Sequence, residues 1–146
     1  MTVRKLHIIS IISVLIALLD QASKYLVRTQ VGNPLNLIDG ILEIRITQNT
    51  GAGFSIFQGN NAVLIIITII ILVAFAYYYK KIPDERRYTI PVALILGGGI
   101  GNLTDRLFFG HVIDFIDFKI WPVFNIADSA ITVGAVVLIY HMVKKK

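Results

Sequence analysis

Ala62–Tyr79 is a run of eighteen residues without a charge. Wound as an α-helix it covers roughly 27 Å, close to the ~30 Å of a bilayer's hydrocarbon core. Three further apolar stretches accompany it, Leu6–Val27, Tyr88–Leu103 and Val123–Val143. Composition agrees with a lipid environment. The 146 residues are 55% hydrophobic and only 16% charged, against about a quarter charged in soluble domains. The fold class expected is an all-α polytopic membrane protein. It has four transmembrane helices, spanning approximately 6–27, 62–79, 88–103 and 123–143, and forms a single membrane-embedded domain.

The segment after the first helix breaks at Gly32-Asn33-Pro34, a turn signal. Glu43, Ile44, Arg45 and Ile46 then alternate polar and apolar, the period of a half-exposed strand. Asn49–Phe54 carries two glycines and reads as a turn. A small extracytoplasmic β-element is therefore expected between helices 1 and 2. Arg4 and Lys5 before an apolar run resemble the start of a secretory signal peptide. No small-residue cleavage site follows, and Asp20 and Lys24 fall where cleavage belongs. At i,i+4 those two share a helix face and can offset each other's burial.

Positive charge sets the orientation. Arg4, Lys5, Lys80, Lys81, Arg86, Arg87, Lys144, Lys145 and Lys146 lie on one side; Lys24, Arg28, Arg45, Arg106 and Lys119 lie toward the other. Both termini and the 80–87 loop are thus expected in the cytoplasm. Residues 28–60 and the 104–122 loop then face outward. This topology brings Asp20, Asp105, Asp114 and Asp128 to one level of the membrane, at its outer face. A carboxylate there is costly and needs a reason.

Several functions are excluded. The net charge of +5 follows the ends of the spans, forms no basic face, and comes with no aromatic-plus-basic motif, so nucleic acid is not a partner. The chain has no cysteine, which removes disulfides, thiol nucleophiles and Cys-zinc sites. Gly97, Gly99 and Gly101 lack the spacing and preceding strand of a dinucleotide fingerprint, although such small residues let helices pack closely. Ser23 and Lys24 are adjacent, so on a helix they point about 100° apart and do not make a dyad. His7, His111 and His141 are scattered, with no metal-ligand spacing. Asn102-Leu103-Thr104 is a glycosylation sequon by pattern only.

Two carboxylates meeting in a low-dielectric pocket share a proton, because both cannot ionise cheaply. Such a pair can activate water and protonate a leaving amine. Asp114 sits in an apolar run of the outer loop, and Asp128 follows Asn125 by three residues, on the same helical face. These residues alone leave open catalysis, helix capping by Asp128 and an ion pathway. Asp105 beside Arg106 reads as a structural salt link, Asn102 and Asn125 as hydrogen-bond donors, and Asp117 as a solvated loop residue. A small proton- or ion-coupled membrane transporter is the alternative class.

The blocks Gly-Asn-Leu-Thr-Asp-Arg (101–106), Val-Ile-Asp-Phe (112–115) and Phe-Asn-Ile-Ala-Asp (124–128) resemble the signatures of the bacterial lipoprotein signal peptidases, the type II signal peptidases. Asp20-Gln-x-x-Lys24 and Asn49-Thr-Gly-Ala resemble the family's two earlier blocks. The resemblance implies an aspartic endopeptidase without metal or cofactor, in the bacterial plasma membrane. Such an enzyme cuts diacylglyceryl-modified prolipoproteins before the lipidated cysteine. It implies Asp114 and Asp128 as the catalytic pair, with Asp20, Lys24, Asn49, Gly51, Asn102, Asp105, Arg106, Asn125 and Ala127 supporting them or contacting substrate. Prolipoprotein signal peptides, membrane lipids and cyclic peptide antibiotics such as globomycin are the implied partners. A β-cradle and a lid-like helix are implied between spans one and two. Gly53 and Thr104 depart from the family pattern.

Overall fold

The computed structural model describes residues 3–51 and 57–144. Ala52, Gly53 and Phe54 of the turn after Asn49, part of the segment between helices 1 and 2 in which the lid-like helix is expected, and Lys145 and Lys146 lie outside the described residues.

The elements run α1 (Val3–Gln30), β1 (Leu35–Ile38), β2 (Leu42–Asn49), α2 (Asn61–Tyr78), a 3-10 turn (Tyr79–Lys81), α3 (Arg86–Phe109), β3 (Val112–Asp117) and α4 (Ile126–Lys144). All four α-helices are long and apolar enough to cross a membrane. Their apolar residues remain exposed on the outer faces of the bundle, as at Ile66, Ile70 and Val73 of α2 and Val133 and Val136 of α4. Lipid is the solvent for these faces, so burial of apolar area between helices supplies little drive.

Close packing holds the bundle instead, and α3 is its centre, flanked by α1 and α4. A Cβ built at Gly101 would stand 2.6 Å from the Asp20 carboxylate of α1. One built at Gly98 would strike the Ala127 carbonyl oxygen of α4 and lie 2.8 Å from Ile131 Cγ1. A Cβ at Gly97 would lie 2.7 Å from the Ser13 carbonyl oxygen of α1, so Gly97 and Gly98 let three helices meet at backbone distance. By contrast α2 packs chiefly along α3 and buries only Leu64.

The sheet has order β1-β2-β3, antiparallel throughout. Its third strand comes from the α3–α4 connection, so the β-element joins both outer segments. Thr47 pairs with Asp114 and Asn49 with Val112. The alternation in β2 is present, but its sense differs from a simple apolar-in strand: Glu43 is buried and Ile46 exposed. The buried face is polar because Lys119 pairs with Glu43 there, and Arg45 Nε lies 2.6 Å from Asp117 Oδ2. Asp117 is therefore a buried strand residue held by two cations, and not a solvated loop residue.

Candidate active site

The start of α4 organises the site. Asn125 is its N-cap, and its Oδ1 accepts the Asp128 N–H at 2.8 Å. Asp128 Oδ2 accepts the Asn125 N–H in return at 3.3 Å. This is the reciprocal capping box, with aspartate in the usual glutamate position. A third otherwise unpaired donor of the first turn, the Ala127 N–H, goes to Asp20 Oδ1 across the bundle at 3.0 Å. Asp128 does cap a helix, as its sequence position allows, but its Oδ1 also accepts a hydrogen bond from Asn102 Nδ2 at 2.8 Å.

The Asn125 side-chain amide bridges to the sheet. Its Nδ2 donates to Asp114 Oδ1 at 2.7 Å, Asn102 Oδ1 at 3.1 Å and the Ile113 carbonyl at 3.3 Å. Asp114 Oδ2 accepts from Asn49 Nδ2 at 2.8 Å. Two asparagines from different helices thus hold the two aspartates, one on β3 and one on α4, within one hydrogen-bonded network. Asp114, Asn102 and Asn125 are buried.

Behind this network sits Lys24. Its Nζ lies 2.6 Å from Asp20 Oδ2 and 2.8 Å from Asp105 Oδ2, and donates to Asn102 Oδ1 at 3.2 Å. Asp105 also accepts from Gln21 Nε2 at 2.8 Å and from the Ile113 N–H at 3.0 Å. Lys24 with its two carboxylates ties α1, α3, α4 and β3 together. Asp105 does not pair with Arg106, contrary to the link their adjacency implies. Neighbours on a helix point about 100° apart. Asp105 turns to Lys24, while Arg106 Nη2 donates to the Gly51 carbonyl at 2.9 Å. Gly51 N–H in turn donates to Asn49 Oδ1 at 2.9 Å. Arg106 therefore fixes the loop that carries Asn49.

Three contributors escape the sequence reading. Gln21 reaches Asp105 and the Gly101 carbonyl. Asn61 donates to the Arg106 carbonyl at 3.1 Å. Thr47 faces Asp114 in register, with its hydroxyl buried and unpartnered. The signals were a polar residue beside Asp20 and an asparagine at the mouth of an apolar run; Thr47 gave none without the strand register.

Asp114 and Asp128 both line a cavity of about 990 Å3 between α2, α3, α4 and the sheet. Asn49, Asn102 and Arg106 line its polar end; Leu64, Ile71 and Ile131 line its apolar side. Burial, and then the charge of Asp128, push the Asp114 carboxyl up to about 7, against the pull of Asn49 and Asn125. Simple charge counting agrees. Among the described residues, Asp20, Asp105, Asp114 and Asp128 face only Lys24 and Arg106 in this region, so full ionisation leaves uncompensated buried charge. A protonated Asp114 carboxyl lowers that charge by one. Among the described residues no group of three or more His, Cys, Asp or Glu is arranged to hold a metal ion.

The family model for signal peptidase (SPase) II matches residues 12–144. The chain belongs to the signal peptidase II family. Two curated relatives carry the name lipoprotein signal peptidase. That of Caldanaerobacter subterraneus subsp. tengcongensis is 40% identical over 139 residues, covering 92% of this chain and 95% of the relative. That of Halothermothrix orenii is 38% identical over 134 residues, covering 90% and 92%. Two solved structures, each described as a bacterial membrane enzyme determined in meso, share the fold at 35% identity. The one at 2.3 Å resolution superposes with a TM-score of 0.84 over 93% of this chain and 87% of the other. The one at 1.9 Å gives 0.81 over 94% of each. As a member of the signal peptidase II family the chain is a protease and a multi-pass bacterial membrane protein. Membership decides against the transporter reading.

Proposed function

We propose that the protein removes signal peptides from diacylglyceryl-modified prolipoproteins, cutting before the lipidated cysteine, with Asp114 and Asp128 as the catalytic pair. One observation carries the reading. Both carboxylates line the same cavity, bridged by Asn125 and Asn102, and burial with mutual repulsion favours one shared proton. The shared name of the relatives supports the substrate class.

The chemistry balances with these groups alone. The ionised carboxylate takes a proton from water as the water oxygen attacks the scissile carbonyl carbon. The protonated partner gives its proton to the carbonyl oxygen. As the tetrahedral diol collapses, the C–N bond breaks, and the carboxyl that took the water proton passes it to the leaving amine of the lipidated cysteine. The other carboxylate takes back a proton from a diol hydroxyl, which restores the starting pair. Asn49, Asn102 and Asn125 hold the carboxylates. Asp20, Lys24, Asp105 and the Ala127 N–H lock the helices that carry them, while Arg106 and Gly51 shape the loop. No cofactor takes part.

The substrate is itself an apolar helix with acyl chains. It enters laterally where α2 leans chiefly on α3, so the apolar side of the cavity meets lipid-soluble parts and the polar end meets the scissile backbone. The cavity is also the seat for cyclic peptide antibiotics such as globomycin. Membrane lipids cover the exposed helix faces. The lysine and arginine count supports a topology with both termini in the cytoplasm and the site toward the outer face of the plasma membrane.

Asp114→Asn and Asp128→Asn, each purified folded, are expected to abolish cleavage of a lipidated precursor. Turnover retained in either variant sinks the assignment.

A further inference from the structure

Past the aspartates the cavity continues along α4, and Thr132 stands in that part of it. Thr132 follows Asp128 by four residues, so the two share a helix face, and both line the cavity. About one helical turn, roughly 5.4 Å, separates them along the axis. Leu72, Ile95 and Val133 also line the cavity, so the region beyond the aspartates is otherwise apolar. Thr132 is itself exposed.

The Thr132 hydroxyl has a proton to give. Other hydroxyls in the membrane helices turn back to the carbonyl four residues earlier: Thr68 to Leu64 at 2.8 Å, Thr104 to Ile100 at 2.9 Å and Ser129 to Asn125 at 2.9 Å. Thr132 makes no such bond, and among the described residues no other group accepts from its hydroxyl. A polar group left unpaired in apolar surroundings costs free energy, which a ligand acceptor would recover.

The substrate brings acceptors to this place. To reach the aspartates, the residues before the cut must leave the helical conformation, and unwound backbone at membrane depth has N–H and C=O groups to satisfy. The apolar helix of the substrate precedes the cut. The intervening residues therefore run from the aspartates, at one end of α4, toward the middle of the membrane, past Thr132. In an extended segment alternate carbonyls point the same way, and those two residues apart are separated by roughly 6.6 Å. With the scissile carbonyl at Asp114 and Asp128, the carbonyl two residues earlier comes level with Thr132.

We propose that the Thr132 hydroxyl donates a hydrogen bond to this earlier carbonyl and holds the unwound segment against α4. The inference rests on Asp114 and Asp128 being the catalytic pair. It makes Thr132 a substrate-binding residue, one that reads the backbone and not the side chains of the precursor.

The test is steady-state cleavage by the full chain in detergent of two lipidated precursors. One is all amide; in the other, the amide that contains the earlier carbonyl is replaced by an ester, a weaker acceptor. Thr132→Val is nearly isosteric and removes no bond within the chain. It should raise KM about fivefold, the value of one hydrogen bond. Its kcat should hold, because the bond is made in the bound substrate and the transition state alike. Thr132→Ser keeps the hydroxyl and should stay near wild type. The ester should raise KM in wild type and add little in Thr132→Val. A wild-type KM in Thr132→Val, a fall in its kcat alone, or an equal ester penalty in both proteins overturns the proposal. Those outcomes leave the aspartate pair standing, which Asp114→Asn and Asp128→Asn test separately.

Discussion

Asn125→Ser isolates the bridge between the two aspartates from the helix cap. Serine caps a helix about as well as asparagine, so the bond to the Asp128 N–H has a substitute. The Nδ2 donor has none. Its loss leaves Asp114 Oδ1 without the 2.7 Å bond and Asn102 Oδ1 with only Lys24. A hydrogen bond to a charged group contributes about 1.5–3 kcal/mol. If that bond orients Asp114 for reaction, kcat/KM for a lipidated fluorogenic precursor falls by about ten- to a hundredfold. The pH profile adds a readout that general damage would not give. Asn125 holds the Asp114 carboxyl down from where burial and Asp128 push it. Removing the bond raises that carboxyl further, so the proton is lost at higher pH and the basic limb of the activity profile moves upward. Asn125→Ala should add about 1 kcal/mol of instability through the lost cap. A Ser variant with wild-type kcat/KM and an unmoved basic limb refutes the bridging role.

Lys24→Met leaves Asp20 and Asp105 buried without their cation, a loss of about 3–5 kcal/mol; thermal unfolding in detergent as stable as wild type would contradict the tie between α1 and α3. Gly98→Ala sets a methyl against the Ala127 carbonyl, which cannot swing aside as a side chain could; overpacking of this kind costs about 1–3 kcal/mol, and an unchanged melting temperature argues against backbone contact there. Asp117→Asn removes the pairing with Arg45 and Lys119, about 0.2–1 kcal/mol given that the cations are part-exposed. The Asp117 carboxyl is depressed to about 2, chiefly by Arg45, so its contribution is present above the ordinary carboxylate range and vanishes as pH falls through about 2. Wild type and variant should differ in stability at neutral pH and converge in strong acid; a difference that persists there counts against the ion pair.

Much of the fold was legible because a bilayer permits few solutions. Uncharged runs marked the helices, and Asn125-x-x-Asp128 advertised a cap at the start of α4. Asp20 and Lys24 announced their pairing through i,i+4 spacing. Non-local register was invisible. That Arg45 meets Asp117, or Thr47 meets Asp114, depends on strands contributed by both outer segments coming together. Alternation gives a strand's two faces but not which one is covered, so buried Glu43 and exposed Ile46 followed only from the pairing. Adjacency misled at Asp105 and Arg106, where helical geometry sends neighbours to different partners. Lys5 looked like one more cytoplasmic charge, yet it is buried against two carbonyls, because the loop it caps is remote in sequence.

The central claim is a proton shared between Asp114 and Asp128 at working pH. Infrared spectroscopy reads it directly, through the carbonyl stretch of a protonated carboxyl followed from weakly acidic to weakly basic pH. Wild type should retain one such band at neutral pH and lose it with a midpoint near the value of about 7 set by burial and the neighbouring charge; Asp114→Asn should lack that transition. A wild-type spectrum in which every carboxyl is already ionised at neutral pH, its last band lost in the ordinary carboxylate range, contradicts the account.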